Sequence, residues 1–160
     1  MTMAPRTDHG LARLAAQTLD RVRDPQTSTV SDQVITRLKG LPALLRTSGP
    51  LATLAFFAAK AGDDKAGDDK PLARAYAVVG AALQEQVAAE IGEQVPASSC
   101  FSEFVLAFTG DTVPPGALSR ASARLEEFAL WLRRLAEATE QEQDRSQRQA
   151  GGRPQAGADA

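Results

Sequence analysis

The stretch LKGLPALLRTSGPLATLAFFAAKA, residues 38–61, places a short polar break between two apolar segments. The break is Ser48-Gly49-Pro50, in which glycine suits a left-handed C-terminal cap and proline suits the first position of a following helix. Residues 51–60 are almost wholly apolar, so the second helix is expected to be enclosed on most sides at the centre of the core. Pro42 predicts a kink or a restart in the first helix, because proline lacks an amide hydrogen. The stretch therefore predicts two helices packed around one sharp turn.

The composition of the whole chain favours helix over strand. Its 160 residues are enough for one domain with a real core. Alanine, leucine, arginine and glutamine are abundant, whereas β-branched and aromatic residues are sparse. We therefore predict an all-α fold: a single-domain helical bundle of about six helices over residues 1–142, with a flexible acidic loop at 61–70 and a disordered tail at 143–160.

Apolar residues recur at three- and four-residue spacing in the remaining helical segments. A first helix is predicted from Asp8 to about Arg23, and Ser31 is predicted to cap the second. Later helices are predicted from Pro71 to about Gly92, over a short aromatic segment that contains Phe104, and from about Ala117 to Gln141.

The sequence lacks the features of several classes of protein, including disulfide-bonded, zinc-binding and membrane-spanning proteins. The single cysteine, Cys100, can form neither an intrachain disulfide nor a two-thiol zinc motif, and no apolar run approaches the length of a membrane span. The first ten residues lack the apolar core of a secretory signal, which favours a cytoplasmic protein. No phosphate-binding loop or zinc helix is present, so no cofactor or metal is expected.

Residues suited to catalysis are also few. His9 is the sole histidine and lies near the chain terminus, whereas a general base needs a fixed position and an oriented partner. The tandem AGDDK repeat at 61–70 supplies carboxylates, but their spacing does not fit a calcium loop and a solvated charge run explains them better. We therefore expect no catalytic residue and no enzymatic activity.

Basic side chains are the stronger candidates for function. Net charge is +4 over residues 1–60, −5 over 61–110 and −1 over 111–160, so any basic surface must be local. Lysine and arginine can neutralise phosphates without reading sequence. The alternative is that these side chains only solvate helices and pair with neighbours, as Arg133 can with Glu137. The candidate nucleic-acid-binding residues are Arg37, Lys39, Arg46, Lys60, Arg133 and Arg134.

Two segments of the chain resemble a known family. Residues 38–61 are similar to its pattern of Leu-Pro, aliphatics, a basic residue, glycine and an apolar Leu-Ala-Phe run. Residues 127–137, EFALWLRRLAE, are similar to its closing Trp-Leu, basic pair and Ala-Glu pattern. The family is that of the small α-helical subunit of the type III-B CRISPR effector, the Cmr complex.

The resemblance implies a role without catalysis. Copies of such a subunit stack as a short filament beside the crRNA-bearing backbone subunits, in antiviral defence. The expected partners are the large subunit, the crRNA-binding backbone subunits, further copies of the same chain, and the duplex of crRNA and target RNA. The basic residues would hold the RNA backbone nonspecifically, since base pairing with the guide supplies sequence specificity. No membrane partner is implied.

Three other functions are alternatives to this one. A helix-turn-helix regulator would need polar residues on its second helix, yet LATLAFFAAK offers almost none before Lys60. A small helical enzyme lacks the necessary acid-base and metal groups. A general helical adaptor that binds only protein remains the main alternative, and salt-sensitive RNA binding would separate it from the proposed scaffold.

Overall fold

The computed structural model describes residues 7–62, 70–91, 101–111 and 113–152. Within these ranges the chain is a single all-α domain without strands, which confirms the predicted fold class. Residues 63–69 of the predicted acidic loop and residues 153–160 of the predicted tail lie outside the described ranges. The six helices are α1 (Thr7–Val22), α2 (Asp32–Ser48), α3 (Pro50–Ala61), α4 (Lys70–Ile91), α5 (Phe101–Phe108) and α6 (Ala117–Gly151).

Helix α6 is the centre of the bundle, and α1, α2 and α4 all pack against it. It is 35 residues long, which corresponds to about 52 Å at 1.5 Å per residue. Its fully buried apolar side chains recur every three or four residues and form one continuous stripe. They are Ala117, Ala121, Leu125, Phe128, Ala129, Leu132 and Ala136.

The prediction that α3 lies enclosed at the centre of the core was wrong. Only Thr53, Leu54 and Phe57 of α3 are buried, and alanines such as Ala55 and Ala59 face outward. Alanine is apolar but small, so leaving its methyl group in water forfeits little hydrophobic stabilisation. A run of alanines therefore marks a helix without fixing how deeply that helix is buried.

The turn between α2 and α3 forms at Gly49, as predicted. Its φ of 79° is positive, although its ψ of 170° lies outside the left-handed helical region expected for the cap. The Gly49 amide donates to the carbonyl of Leu45 at 2.9 Å. The Gly49 carbonyl accepts from the amide of Thr53 at 3.1 Å and from its hydroxyl at 2.8 Å. One glycine therefore ends α2 and begins α3, with Pro50 at the first turn.

Helix α2 runs without a break through Pro42, so the restart considered there does not occur. Proline removes one main-chain hydrogen bond. Its ring is buried beside Leu41 and Leu45, and the packing of this face offsets that loss. At the other end of α2 the Ser31 hydroxyl accepts from the Val34 amide at 3.3 Å, which confirms the predicted N-cap.

Helix α6 extends to Gly151, beyond the end predicted near Gln141. Residues 142–151 include three glutamines, two arginines and one glutamate, which are good helix formers, so the helix continues although it has little apolar surface to bury. Gln143 also contacts the main chain of Val30, as described in the Discussion. The apolar pattern that marked the helix therefore stopped earlier than the helix itself.

Aromatic side chains join the remaining helices to the core. The ring centroids of Phe57 in α3 and Tyr76 in α4 lie 5.2 Å apart in an edge-to-face arrangement. In α5 the parallel rings of Phe104 and Phe108 lie 6.1 Å apart and both are buried, which confirms the predicted aromatic face. None of the described helices has the length and apolar character needed to cross a membrane.

Candidate nucleic-acid interface

The six basic residues singled out from sequence lie on three helices. Helix α2 carries Arg37, Lys39 and Arg46, α3 carries Lys60, and α6 carries Arg133 and Arg134. Lys39 is half-buried and the other five side chains are exposed. Their positions on these helices separate them into three groups.

The first group lies along the boundary between α2 and α6. The two helices run antiparallel, since Val30 before α2 contacts Gln143 and Lys39 contacts Glu140 near the end of α6. Lys39 and Arg46 are seven residues apart, which places them on one face of α2. Lys39 Nζ lies 2.7 Å from Glu140 Oε2. This face of α2 therefore borders α6.

The opposing stripe of α6 also has a seven-residue spacing. Glu126, Arg133 and Glu140 follow one another at this interval, so they share a face with a drift of only about 20° per step. Glu126 lines a depression of about 160 Å³ together with Arg46 and Ser122. We call the set Lys39, Arg46, Glu126, Arg133 and Glu140 the α2–α6 seam.

Carboxylates balance much of the basic charge at this seam. Arg133 Nε lies 3.0 Å from Glu137 Oε1, the i, i+4 pair that the sequence suggested. The side chains of Lys39 and Glu140 are 38% and 41% exposed, so their ion pair contributes about 0–1 kcal/mol to stability. Arg46 makes no hydrogen bond or ion pair with any described residue, so it is the seam cation most accessible to a phosphate.

Arg37 lies on a different flank of α2. It lies two positions before Lys39 in the chain, which corresponds to a rotation of about 200° around the helix. Arg37 borders a shallow depression with Leu72 and Tyr76 of α4. The structure therefore does not bring Arg37 into the α2–α6 seam.

Lys60 and Arg134 form the third group, in which each cation lies over an aromatic ring. Lys60 Nζ is 5.9 Å from the centroid of the Phe56 ring. Arg134 Cζ is 5.2 Å from the Trp131 ring, and Trp131 is half-buried on α6. Exposed contacts of this type contribute about 0.5–1 kcal/mol and leave the charged groups accessible to solvent.

Sequence reasoning missed two arginines at the end of the bundle, Arg74 in α4 and Arg23 just after α1. Arg74 in α4 donates from Nη2 to the carbonyl of Arg21 at 2.8 Å and to the carbonyl of Arg23 at 2.9 Å. These bonds satisfy carbonyl groups at the C-terminal end of α1, which a helix leaves without internal partners. The apolar periodicity contained no signal for this contact, because it joins residues more than fifty positions apart.

The groups considered for catalysis are not gathered into a site within the described residues. His9 is exposed in the first turns of α1. No cluster of three or more histidine, cysteine, aspartate or glutamate side chains suited to a metal occurs in the part of the chain that the structure describes. Cys100 and the aspartates of the AGDDK repeat lie outside that part.

The fold and the charged seam define an all-α domain suited to binding, and comparison with protein families gives its identity. The chain belongs to the family described as CRISPR-associated protein (Cas_Cmr5), whose model matches residues 11–139. This family comprises the small subunits of the type III-B Cmr complex, which confirms the resemblance drawn from residues 38–61 and 127–137. No curated protein and no solved structure gives a significant match.

Proposed function

We propose that this chain is a non-catalytic small subunit that supports target RNA in a type III-B CRISPR complex. Family membership makes it a component of a multi-subunit Cmr effector with other Cas subunits. The proposal adds that copies stack as a filament beside the crRNA backbone in the cytoplasm, and that they contact the duplex of crRNA and target RNA through phosphates. This contact would serve antiviral defence without any catalytic group on this chain.

The observation that carries the RNA contact is the alignment of Lys39, Arg46 and Arg133 along the α2–α6 seam. Lys39 and Arg46 are separated by about 10.5 Å along α2, and Arg133 lies on the opposing stripe of α6. Cations in such a row can follow a phosphate backbone without contacting base edges. Arg37, Lys60 and Arg134 are proposed to contribute from neighbouring surfaces.

Exposed apolar residues support the proposed contacts with other subunits and with further copies. Leu106 on α5 is 73% exposed and Leu118 on α6 is 52% exposed. The outward alanines of α3, including Ala55 and Ala59, add a small-residue surface that a neighbouring helix can approach closely. Where exposed apolar residues form one contiguous surface, that surface is typical of a protein interface.

A general helical adaptor that binds protein but no nucleic acid is the alternative. The observation that favours it is the balance of charge at the seam, where Glu137 and Glu140 pair with Arg133 and Lys39. Under this alternative, the basic residues serve only to stabilise and solvate the bundle.

Affinity purification of the tagged chain from its native host distinguishes the two functions. Recovery of the large and backbone CRISPR subunits together with crRNA supports assembly into the effector. Crosslinking of the purified complex to bound target RNA would then place Arg46 at the phosphate backbone. Recovery of unrelated proteins without RNA would favour the adaptor instead.

A further inference from the structure

A cleft of about 430 Å³ lies at the end of the bundle where α1 ends and where α2 and α4 begin. This volume is within the range of about 300–1,000 Å³ that is usual for small-molecule sites. Its apolar wall includes Val22, Val34 and Pro71. It lies apart from the α2–α6 seam, and none of the six basic residues predicted from sequence lines it.

Two guanidinium groups line this cleft and are held in place by the fold. Arg74 uses Nη2 for its two bonds to the main chain of α1. Arg23 uses Nε for Asp20 at 3.1 Å and Nη1 for the Ser28 carbonyl at 3.1 Å. Each arginine has five N–H groups, so with respect to the described residues Arg74 keeps its Nε and Nη1 donors free and Arg23 keeps Nη2 free. Donors fixed in this way suit an anion with several acceptor oxygens, such as phosphate.

The linker between α1 and α2 supplies further polar groups to the lining of the cleft. The main-chain amide of Gln26 donates to Asp24 Oδ1 at 2.8 Å, which orients the Asp24 carboxylate. The Gln26 side chain is exposed, and its amide offers both donors and an acceptor. Such groups can hydrogen-bond the edge of a planar base that lies against the apolar wall.

We propose that this cleft binds a phosphorylated nucleoside, with its phosphate on Arg23 and Arg74 and its base against Val34 and Pro71. The ligand is either one unit of single-stranded RNA or a free nucleotide. Binding of an RNA unit in the cleft rests on the proposed function, whereas binding of a free nucleotide does not depend on it. An acidic side chain of a protein partner would satisfy the arginines, but it is too small to fill the cleft and cover its apolar wall.

A substitution that fills the cleft tests the proposal. Thr29 lines the cleft and is exposed, and among the described residues its hydroxyl pairs only with that of Thr27. Thr29→Trp would place an indole in the cleft while the Thr29 carbonyl keeps its bond with the Asp24 amide. Thr36→Trp, at an exposed site on α2 outside the cleft, is the matched control.

The probes are 5′-AMP, measured by calorimetry, and a fluorescent single-stranded oligouridine, measured by anisotropy with the full-length protein. Binding of both probes is expected to weaken by about tenfold in Thr29→Trp, since it loses the guanidinium–phosphate contacts. Thr36→Trp is expected to bind as the unsubstituted protein does. Equal affinities in the two variants would overturn the proposal.

A second pair of variants tests the charge of the cleft without adding bulk. Gln26→Glu adds a negative charge to the lining of the cleft, where it would repel a bound phosphate, and Gln17→Glu adds the same charge on the exposed face of α1. We expect Gln26→Glu to weaken binding of 5′-AMP by about fivefold and Gln17→Glu to weaken it less than twofold. If Thr29→Trp fails to fold, as judged by circular dichroism, this pair decides the question.

The results separate this proposal from the function proposed above. Loss of 5′-AMP binding in Thr29→Trp and Gln26→Glu would support the cleft even if Arg46→Glu left RNA affinity unchanged. A different set of results would support RNA binding at the α2–α6 seam and overturn nucleotide binding in the cleft. In that case Arg46→Glu loses RNA affinity, 5′-AMP does not bind, and neither cleft variant changes RNA binding. If the unsubstituted protein binds neither 5′-AMP nor oligouridine, the proposal that the cleft is a binding site is overturned.

Discussion

The side-chain amide of Gln143 forms two hydrogen bonds with the main chain of Val30. Gln143 Oε1 accepts from the Val30 amide at 2.9 Å, and Gln143 Nε2 donates to the Val30 carbonyl at 3.1 Å. Val30 is only 1% exposed, and it directly precedes the Ser31 cap of α2. The pair therefore fixes the start of α2 against α6 in the way that a neighbouring strand would pair with an extended segment.

Replacing Gln143 with alanine is expected to destabilise the fold. The Gln143→Ala variant leaves the amide and carbonyl of Val30 without a protein partner, at a cost of about 1–2 kcal/mol in the free energy of unfolding. Urea denaturation followed by circular dichroism measures this change. Gln141→Ala is the control, because Gln141 is exposed on the same helix and its loss should change stability by less than about 0.5 kcal/mol. Equal stability of the two variants would show that the Val30 contact is unimportant.

Replacement of glycine by alanine is expected to have opposite effects on stability at positions 49 and 40. Gly49 has a φ of 79°, which side-chain-bearing residues rarely adopt, so Gly49→Ala should cost about 1–3 kcal/mol. Gly40 lies inside α2 with open space around its Cα, so Gly40→Ala should stabilise the protein by about 0.5–1 kcal/mol through higher helix propensity. Thermal denaturation of both variants checks the signs. A stabilised Gly49→Ala variant would contradict this account of the turn.

A close approach of α3 and α4 explains the glycine at position 80. A Cβ atom built on Gly80 would lie 3.3 Å from the Cβ of Phe57. The Gly80→Val variant must force the two helices apart, and we expect it to lose about 1–3 kcal/mol of stability. Gly40→Val is the matched control, since Gly40 lies inside α2 and a Cβ atom there would meet nothing within 4 Å. If both variants unfold at the same denaturant concentration, the contact between α3 and α4 is looser than described.

Much of the fold could be predicted from the sequence because helix signals are local. The Ser31 cap, the Gly49 turn and the aromatic face of α5 each depend on residues within a few positions of one another. The burial of α3 was predicted wrongly because alanine counts as apolar whether it faces the core or the solvent. The end of α6 was placed too early because the apolar pattern stops near Gln141, whereas the polar residues beyond it are still good helix formers.

The candidate site could be predicted only in part, for a related reason. Residue type and helical spacing identified Lys39 and Arg46 as basic residues on one face of α2. Pairing across helices decides which cations are already compensated, and the contact between Lys39 and Glu140 cannot be read from spacing. The two bonds from Arg74 to the end of α1 likewise depend on how α1 and α4 meet.

Removing the charge of Glu140 is expected to strengthen RNA binding. Glu140→Gln releases Lys39 from its ion pair, so the lysine becomes available to a phosphate. We expect RNA affinity at low salt to rise about threefold, with a change in stability below about 1 kcal/mol. Anisotropy titrations with labelled RNA measure the affinity. The matched control is Glu142→Gln, which removes one charge from the exposed face of the same helix, and an equal gain in the control would mean that Lys39 plays no particular part.

The central claim is that the α2–α6 seam holds target RNA. The most direct test is to reverse one charge of the seam and to measure how tightly the assembled complex then binds target RNA. Arg46→Glu is the substitution, because Arg46 has no acidic partner among the described residues and its loss should not weaken the bundle. The control is Arg145→Glu, an equal change at an exposed site near the end of α6. We predict that Arg46→Glu lowers target RNA affinity several-fold while the complex still assembles, and that the difference from the control shrinks as salt rises. Equal affinity of the two complexes at low salt would contradict a role for the α2–α6 seam in holding RNA.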